Sequence, residues 1–118
     1  MPEDCPPIAA QEIIAERVVF RLAQTHPATL DDFRSQRAIN PSAKFSVSEC
    51  HASGLSVHAD RHDSEQTKKL PKFKHCIVCS VQLEAGAGRI QQTFKPSHHT
   101  WWPFAGFDIL AHCGSEAK

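Results

Sequence analysis

The sequence predicts a single α+β domain, with about five strands in a mixed or antiparallel sheet and two or three short helices. Its 118 residues are the usual size of one domain. Short runs of β-branched and aromatic residues alternate with stretches that begin at helix-capping residues. No repeat or linker separates a second domain. We therefore expect the domain at residues 11–118, after a disordered, proline-rich lead-in at residues 1–10.

Five segments have the composition or alternation of strands. The third and fourth flank the loop Glu84–Gly88, which predicts a β-hairpin. The segments are Arg17–Leu22, Leu55–Ala59, His75–Leu83, Arg89–Phe94 and Phe107–Cys113.

Helices are predicted where a capping residue precedes a suitable pattern. Thr29 with Asp32 predicts a helix over Leu30–Ala38, with Leu30 and Phe33 pointing inward, and Ser64 predicts a cap for a helix that runs to Leu70. Gln11–Glu16 is compatible with a short helix, and Ile39–Gly54 is expected to be a long surface loop.

Composition excludes several classes of partner. Thirteen basic and thirteen acidic residues cancel and the pI is about 7.1, so duplex DNA and anionic membranes are not expected partners. No apolar run reaches the roughly 20 residues of a membrane helix, and the N-terminus lacks the pattern of a signal peptide. The five scattered cysteines favour reduced thiols, and hence a cytoplasmic protein.

Cysteine and histidine are abundant enough to suggest a metal site. Cys76 and Cys79 have the CxxC spacing of zinc sites, and His58 and His62 have the i, i+4 spacing of a chelating pair. Ile77 and Val78 favour a strand between the cysteines, which would send the two thiols to opposite faces. We therefore predict no metal ligand and no cofactor, and keep a zinc-stabilised structural domain as an alternative.

Candidate site residues concentrate between Lys95 and Cys113, in a predicted loop after a strand. Two imidazoles beside a cation and hydroxyl groups suit the binding of a nucleotide or an RNA end. His98 and His99 are the candidate general acids or bases, and Lys95 and Arg21 the candidate phosphate ligands. Hydroxyl donors and a stacking wall would come from Ser97, Thr100, Trp101 and Trp102, with one tryptophan partly exposed.

Two short patterns resemble motifs of enzyme families. His51-Ala52-Ser53 and His98-His99-Thr100 resemble the paired His-x-Ser/Thr motifs of the two-histidine phosphoesterases, which implies that the histidines exchange protons and the hydroxyls hold phosphate. This resemblance covers six residues. Arg21, Ser56 and Glu84 are loosely similar to the Arg, Ser and Glu elements of mono-ADP-ribosyltransferases, which implies that the arginine grips a pyrophosphate and the glutamate orients a ribose.

A non-catalytic function is the contrasting hypothesis. The Trp-Trp-Pro-Phe segment at residues 101–104 has the residue types that anchor protein partners. The sequence leaves open whether the domain is an enzyme.

Overall fold

The strands form one antiparallel sheet in the computed structural model, which describes residues 5–24, 28–42, 44, 49–93 and 97–115. Seven strands lie in the described ranges, rather than about five, in the order β1-β5-β6-β3-β2-β4-β7. Of the two predicted arrangements, mixed or antiparallel, the sheet is antiparallel. The strands are β1 (Gln11–Glu12), β2 (Arg17–Ala23), β3 (Leu55–His58), β4 (Ile77–Leu83), β5 (Gly88–Gln92), β6 (His98–Pro103) and β7 (Cys113–Ser115).

Three short α-helices accompany the sheet in the described ranges: α1 (Gln36–Ile39), α2 (Glu49–Ala52) and α3 (Arg61–Lys68). Single 3₁₀ turns occur at Leu30–Phe33 and Leu110–His112. In the described part of the chain, every helix is too short and too polar to cross a membrane.

The helix predicted from Leu30 begins at the expected residue but is much shorter. The Asp32 carboxylate accepts the Thr29 N–H at 2.9 Å, so the N-terminal signal is used. Phe33 is buried as expected, whereas Leu30 is exposed. The turn ends at Arg34, which is extended, and Ser35 then caps the separate helix α1.

The predicted cap of α3 is wrong. Asp60 occupies the N-cap and accepts the His62 N–H. The helix therefore starts at Arg61, before Ser64. Ser64 lies inside the helix and is completely buried. Its hydroxyl contacts the His58 imidazole of β3 and does not cap the helix.

The predicted hairpin around Glu84–Gly88 is wrong, because the two flanking strands are not neighbours. β4 pairs with β2 over seven residues and with β7 on its other edge, so both edges of β4 are occupied. β5 pairs instead with β1 and β6. The loop therefore carries the chain from one part of the sheet to another.

This connection requires the sheet to curl. The step from Leu83 to Gly88 covers five residues, which span at most roughly 17 Å. Four strand spacings separate β4 from β5 in the sheet order, which amounts to roughly 19 Å if the sheet were flat. Curling brings the strand ends together and encloses a core that includes Val19, Val81, Leu83, Ile90 and Trp101.

Three segments differ from the predicted secondary structure. The predicted helix at Gln11–Glu16 is replaced by β1 and an irregular segment whose Ile13 is buried in the core. The predicted strand over Phe107–Cys113 is mainly irregular and 3₁₀, and β7 begins only at Cys113. The loop predicted around residue 98 is strand β6, which lies between β3 and β5.

Cysteine pairing corrects the prediction of reduced thiols. Cys5 is disulfide-bonded to Cys50 and Cys79 to Cys113, which leaves the buried Cys76 as the free cysteine. The first bond ties the expected lead-in to helix α2. Next to β1, Ala10 is buried, and its carbonyl accepts two hydrogen bonds from Arg89.

Reducing both disulfides should lower the free energy of unfolding by about 4 kcal/mol for each bond, because the bonds close loops with sequence separations of 45 and 34 residues. Urea denaturation with and without a phosphine reductant measures the change. Thiol titration of the denatured, unreduced protein is the control, with one reactive thiol expected out of five cysteines. Five reactive thiols, or an unchanged urea midpoint after complete reduction, would contradict this expectation.

Candidate functional site

The pairing of β3 with β6 places a row of polar side chains on one face of the sheet. Ser56 lies opposite Thr100, and His58 lies opposite His98. Directly opposed residues of antiparallel strands point to the same side. This row forms part of the wall of a cleft of about 1630 Å³, to which α2 and α3 also contribute.

His58 and His98 form a cross-strand pair of imidazoles in this cleft. Their ring centroids are 5.8 Å apart and the rings are nearly perpendicular, at 83°. Both rings are half-buried and both residues line the cleft. Two groups able to carry protons are thus held side by side, as acid–base chemistry requires.

Each imidazole of the pair contacts a buried hydroxyl through Nδ1. The Nδ1 of His58 lies 2.8 Å from Ser64 Oγ, and that of His98 lies 2.9 Å from Thr93 Oγ1. A hydroxyl can donate a hydrogen bond to a neutral imidazole or accept one from a protonated imidazole. These partners therefore hold both rings in place in either protonation state.

His99 has a partner of a different kind. Its Nδ1 lies 2.9 Å from the Ser97 carbonyl oxygen, which can only accept. The proton of His99 is thereby fixed on Nδ1. Hydroxyl partners thus distinguish the cleft histidines from this neighbour on the same strand.

The network behind His98 continues into the protein. Thr93 Oγ1 lies 3.0 Å from Thr100 Oγ1, and both residues are buried. Gln91 pairs with Thr100 in the register and so faces the same side. Gln91 Oε1 is buried and, among the described residues, has no hydrogen-bond partner. An acceptor without a donor thus lies on the face of the sheet that carries the hydroxyl network.

Arg21 lies next to the point where strands β2 and β3 diverge. β2 and β3 are joined by one residue pair, Phe20 with His58. Beyond this pair, the Arg21 guanidinium donates to the carbonyls of Ser56 at 2.7 Å, Asp32 at 2.8 Å and Arg34 at 3.2 Å. Burial lowers the pKa of Arg21 to about 10, against the opposing effect of the Asp32 carboxylate, so the side chain stays charged at neutral pH.

The remaining cleft wall carries both charges and apolar groups. Arg34 and Lys72 supply cations, and the acidic residues that line the cleft are Asp31, Asp32, Asp60 and Asp63. Ile39 and Leu70, both 53% exposed, line the cleft together with Phe73. The cleft therefore has a polar wall from the sheet, and a facing wall that combines charged and apolar side chains.

Both tryptophans are buried, so the prediction of an exposed stacking wall is wrong. Trp101 is 0% exposed, and its indole N–H donates to the Ala87 carbonyl at 3.1 Å. Trp102 is 1% exposed and donates to the Cys50 carbonyl at 2.9 Å. Alternation does send the two rings to opposite faces, but the core covers one face and α2 covers the other. Of residues 101–104, only Phe104 is exposed, so neither tryptophan is on the surface in this segment.

The other predicted site residues are distributed over several places. His98, Thr100, Ser97 and Arg21 line the cleft. The Ser97 hydroxyl accepts the Asp60 N–H at 3.0 Å. His99 points to the opposite face of β6 and lines a second, smaller cavity. Lys95 lies outside the described residues.

The two resemblances give different outcomes in the structure. His51 lines the cleft from α2 and lies 6.0 Å from the Trp102 ring, so the two His-x-Ser/Thr segments do contribute to one cleft. Arg21 and Ser56 also meet, whereas Glu84 pairs with His112 at the far end of β4. Hydrogen bonds to the Asp108 carbonyl and to Glu84 raise the pKa of His112. The arginine, serine and glutamate are therefore not gathered in one site.

The described cysteines are engaged in other ways than metal binding. Cys79 and Cys113 are bonded to each other, and burial raises the pKa of the Cys76 thiol. Within the described ranges, no group of three or more His, Cys, Asp or Glu side chains is arranged to hold a metal ion.

Sequence reasoning did not single out His58, Ser64 or Thr93 for this site. The alternation of Leu55, Ser56, Val57 and His58 predicts that Ser56 and His58 share a face. The same rule applied to residues 98–103 groups His98 with Thr100. The pairing of the two strands, however, carries no local signal.

The comparisons with known proteins provide no relative for this chain: no protein-family model, no curated protein and no solved structure matches it.

Proposed function

We propose that the cleft binds a phosphate ester, such as a nucleotide or an RNA end, and that His58 and His98 transfer protons in its cleavage. The observation that carries this proposal is the cross-strand histidine pair, with both Nδ1 atoms held by hydroxyl groups. His58 replaces His99 as the partner of His98, because His99 lies on the other face of the sheet.

Two adjacent imidazoles suit phosphoryl transfer because the reaction needs a proton acceptor and a proton donor together. A neutral imidazole takes the proton of the attacking hydroxyl or water as the new P–O bond forms. The protonated imidazole gives its proton to the leaving oxygen as the old P–O bond breaks. The two rings end with exchanged protonation states, which the hydroxyl partners accommodate.

Phosphate oxygens would be held by donors on the same wall. Ser56 and Thr100 provide hydroxyls beside the histidines. Arg21 uses three hydrogen bonds on backbone carbonyls, and its guanidinium has five N–H groups, so two N–H groups are not used by those bonds. Arg34 and Lys72 provide further positive charge at the cleft.

Replacing either cleft histidine with glutamine tests the proposal. Binding of AMP and of a 2′,3′-cyclic nucleotide is measured by calorimetry, and hydrolysis of the cyclic nucleotide by chromatography. We expect wild-type turnover, and a loss of about 10²-fold or more in His58→Gln and in His98→Gln, as is typical for a general acid or base. His62→Gln is the matched control, because His62 is exposed and does not line the cleft.

Thr93→Val and Ser64→Ala test whether the two hydroxyls position the histidines for reaction or only stabilise the fold. Valine keeps the shape of threonine but cannot hydrogen-bond to His98, so turnover should fall by about tenfold and the pH profile should shift. Failure of the wild-type protein to bind or cleave any of these phosphates would overturn the proposal. Full activity in the double variant His58→Gln/His98→Gln would do the same.

The disulfides also bear on location. The cytoplasmic location stays a prediction, and two disulfide bonds argue instead for an oxidising compartment, where such bonds persist. An RNA or nucleotide ligand would then be met outside a reducing cytosol.

A further inference from the structure

A second cavity lies on the other side of β6, away from the cleft. Its volume is about 260 Å³, and it is lined by residues of β1, β2, β5 and β6. The polar residues that line it are Gln11, Arg17, Gln91, Gln92 and His99. Gln92 and His99 face each other directly in the β5–β6 register. The cavity is thus a separate concave site built from four strands.

Arg17 is the main charged group of this cavity. Its side chain is half-buried and, among the described residues, makes no hydrogen bond or salt bridge. A guanidinium has five N–H donors, and partly buried cations are usually paired. Arg21 and Arg89, by contrast, both donate to backbone carbonyls. The Arg17 guanidinium is therefore available to bind a negatively charged ligand.

The other polar groups add donors rather than negative charge. Gln11 and Gln92 each carry a side-chain amide with two N–H donors. His99 carries no negative charge, and its Nδ1–H donates to the Ser97 carbonyl. No acidic residue is among the described residues that line the cavity, and the adjacent Glu12 is exposed.

We propose that this cavity is a binding site for a small oxyanion, a single phosphate or carboxylate group. A metal cation is excluded by the presence of Arg17 and the absence of carboxylates among those lining residues. An apolar ligand would leave the polar donors without acceptors, which is costly. A planar or tetrahedral oxyanion satisfies the guanidinium through two parallel hydrogen bonds. The volume admits such a group with a few water molecules.

Titration of ¹⁵N-labelled protein with inorganic phosphate, and separately with acetate, tests the proposal by NMR. We expect the side-chain amide signals of Gln11 and Gln92 to shift saturably with at least one of the two anions. Arg17→Gln should weaken this binding by about tenfold, the loss typical of a charge-assisted hydrogen bond. Lys74→Gln is the control, because it removes the same charge from an exposed residue that lines neither cavity.

The design separates this site from the cleft. Phosphate bound in the cleft would shift the signals of Ser56 and Thr100, and Arg17→Gln should leave those shifts unchanged. Unmoved Gln11 and Gln92 amides with both anions would overturn the second site without affecting the cleft proposal. Equal affinity in the wild-type protein and Arg17→Gln would also overturn it. Acetate shifts without phosphate shifts would assign the site to carboxylates, and the reverse result to phosphates.

Discussion

Replacing Gly88 with alanine should lower the free energy of unfolding by about 4 kcal/mol, from backbone strain and overpacking together. Gly88 has a φ of 130°, in a region that residues with a Cβ atom rarely adopt. A Cβ atom there would overlap the Trp102 carbonyl oxygen and lie 2.8 Å from Pro103 Cα. Both atoms belong to the β6 backbone, so no side-chain rotation relieves the overlap.

The region around Gly88 holds several parts of the core together. The neighbouring Ala87 carbonyl accepts the indole N–H of Trp101, and the Gly88 carbonyl accepts the Ile13 N–H. Displacing this backbone would disturb the end of β6 and the segment between β1 and β2. Thermal and urea denaturation measure the effect.

Gly86→Ala is the matched control for this prediction. Gly86 also has a positive φ, of 91°, but a Cβ atom there would meet nothing within 4 Å. Only the backbone strain applies, and the expected cost is about 1 kcal/mol. Equal losses at the two positions would show that the close approach to β6 contributes nothing.

Replacing Arg21 with methionine should cost about 3 kcal/mol of stability. Methionine keeps the length of the apolar stem but leaves three backbone carbonyls without their donor, each of which carries a desolvation penalty when partly buried. The change also opens the gap between β2 and β3, which share one residue pair. Urea denaturation of Arg21→Met measures the loss.

Arg21→Lys and Arg34→Met provide the comparison. Lysine keeps the charge but cannot reach three separate carbonyls with a planar fork, so most of the stability loss should remain. Arg34 is a cation of the same cleft, and the hydrogen bond from its side chain to the Ala38 carbonyl is exposed, so its replacement should cost about 0.5 kcal/mol. A loss at Arg34 as large as that at Arg21 would show that the three carbonyl contacts of Arg21 add no special stability.

The sequence predicts a ligand-binding function for Arg21 but not its structural function. A lone arginine near the end of an apolar strand is compatible with ligand binding, and in the structure it does line the cleft. Its three backbone contacts come from residues 11, 13 and 35 positions away, and no local pattern reports them. The structural function of Arg21 therefore had no signal in the sequence.

The His-His-Thr-Trp-Trp run was predicted to be a loop and is strand β6 in the structure. Consecutive imidazoles and a hydroxyl suggested a loop, because such groups are usually solvated. In β6, alternation places His98 and Thr100 toward the cleft and Trp101 into the core. The buried hydrogen bonds of Thr93, Thr100 and Trp101 are what make a polar strand acceptable inside the sheet.

The sequence by itself determined the local features of this protein. Alternating β-branched and apolar residues located β2, β3, β4 and β5, and Thr29 with Asp32 located the start of the 3₁₀ turn at Leu30–Phe33. These features depend on side-chain period and backbone capping, which act over a few residues.

The tertiary structure decided which strands pair, which cysteines join and which histidines meet. His58 and His98 are forty positions apart in number, and their contact exists because β3 and β6 are neighbours in the sheet. Strand order, burial of both tryptophans and the cleft itself arise from packing between distant segments. The free energy of that packing depends on which surfaces bury each other, and the two surfaces come from segments far apart in the sequence. No short stretch of sequence therefore reports it.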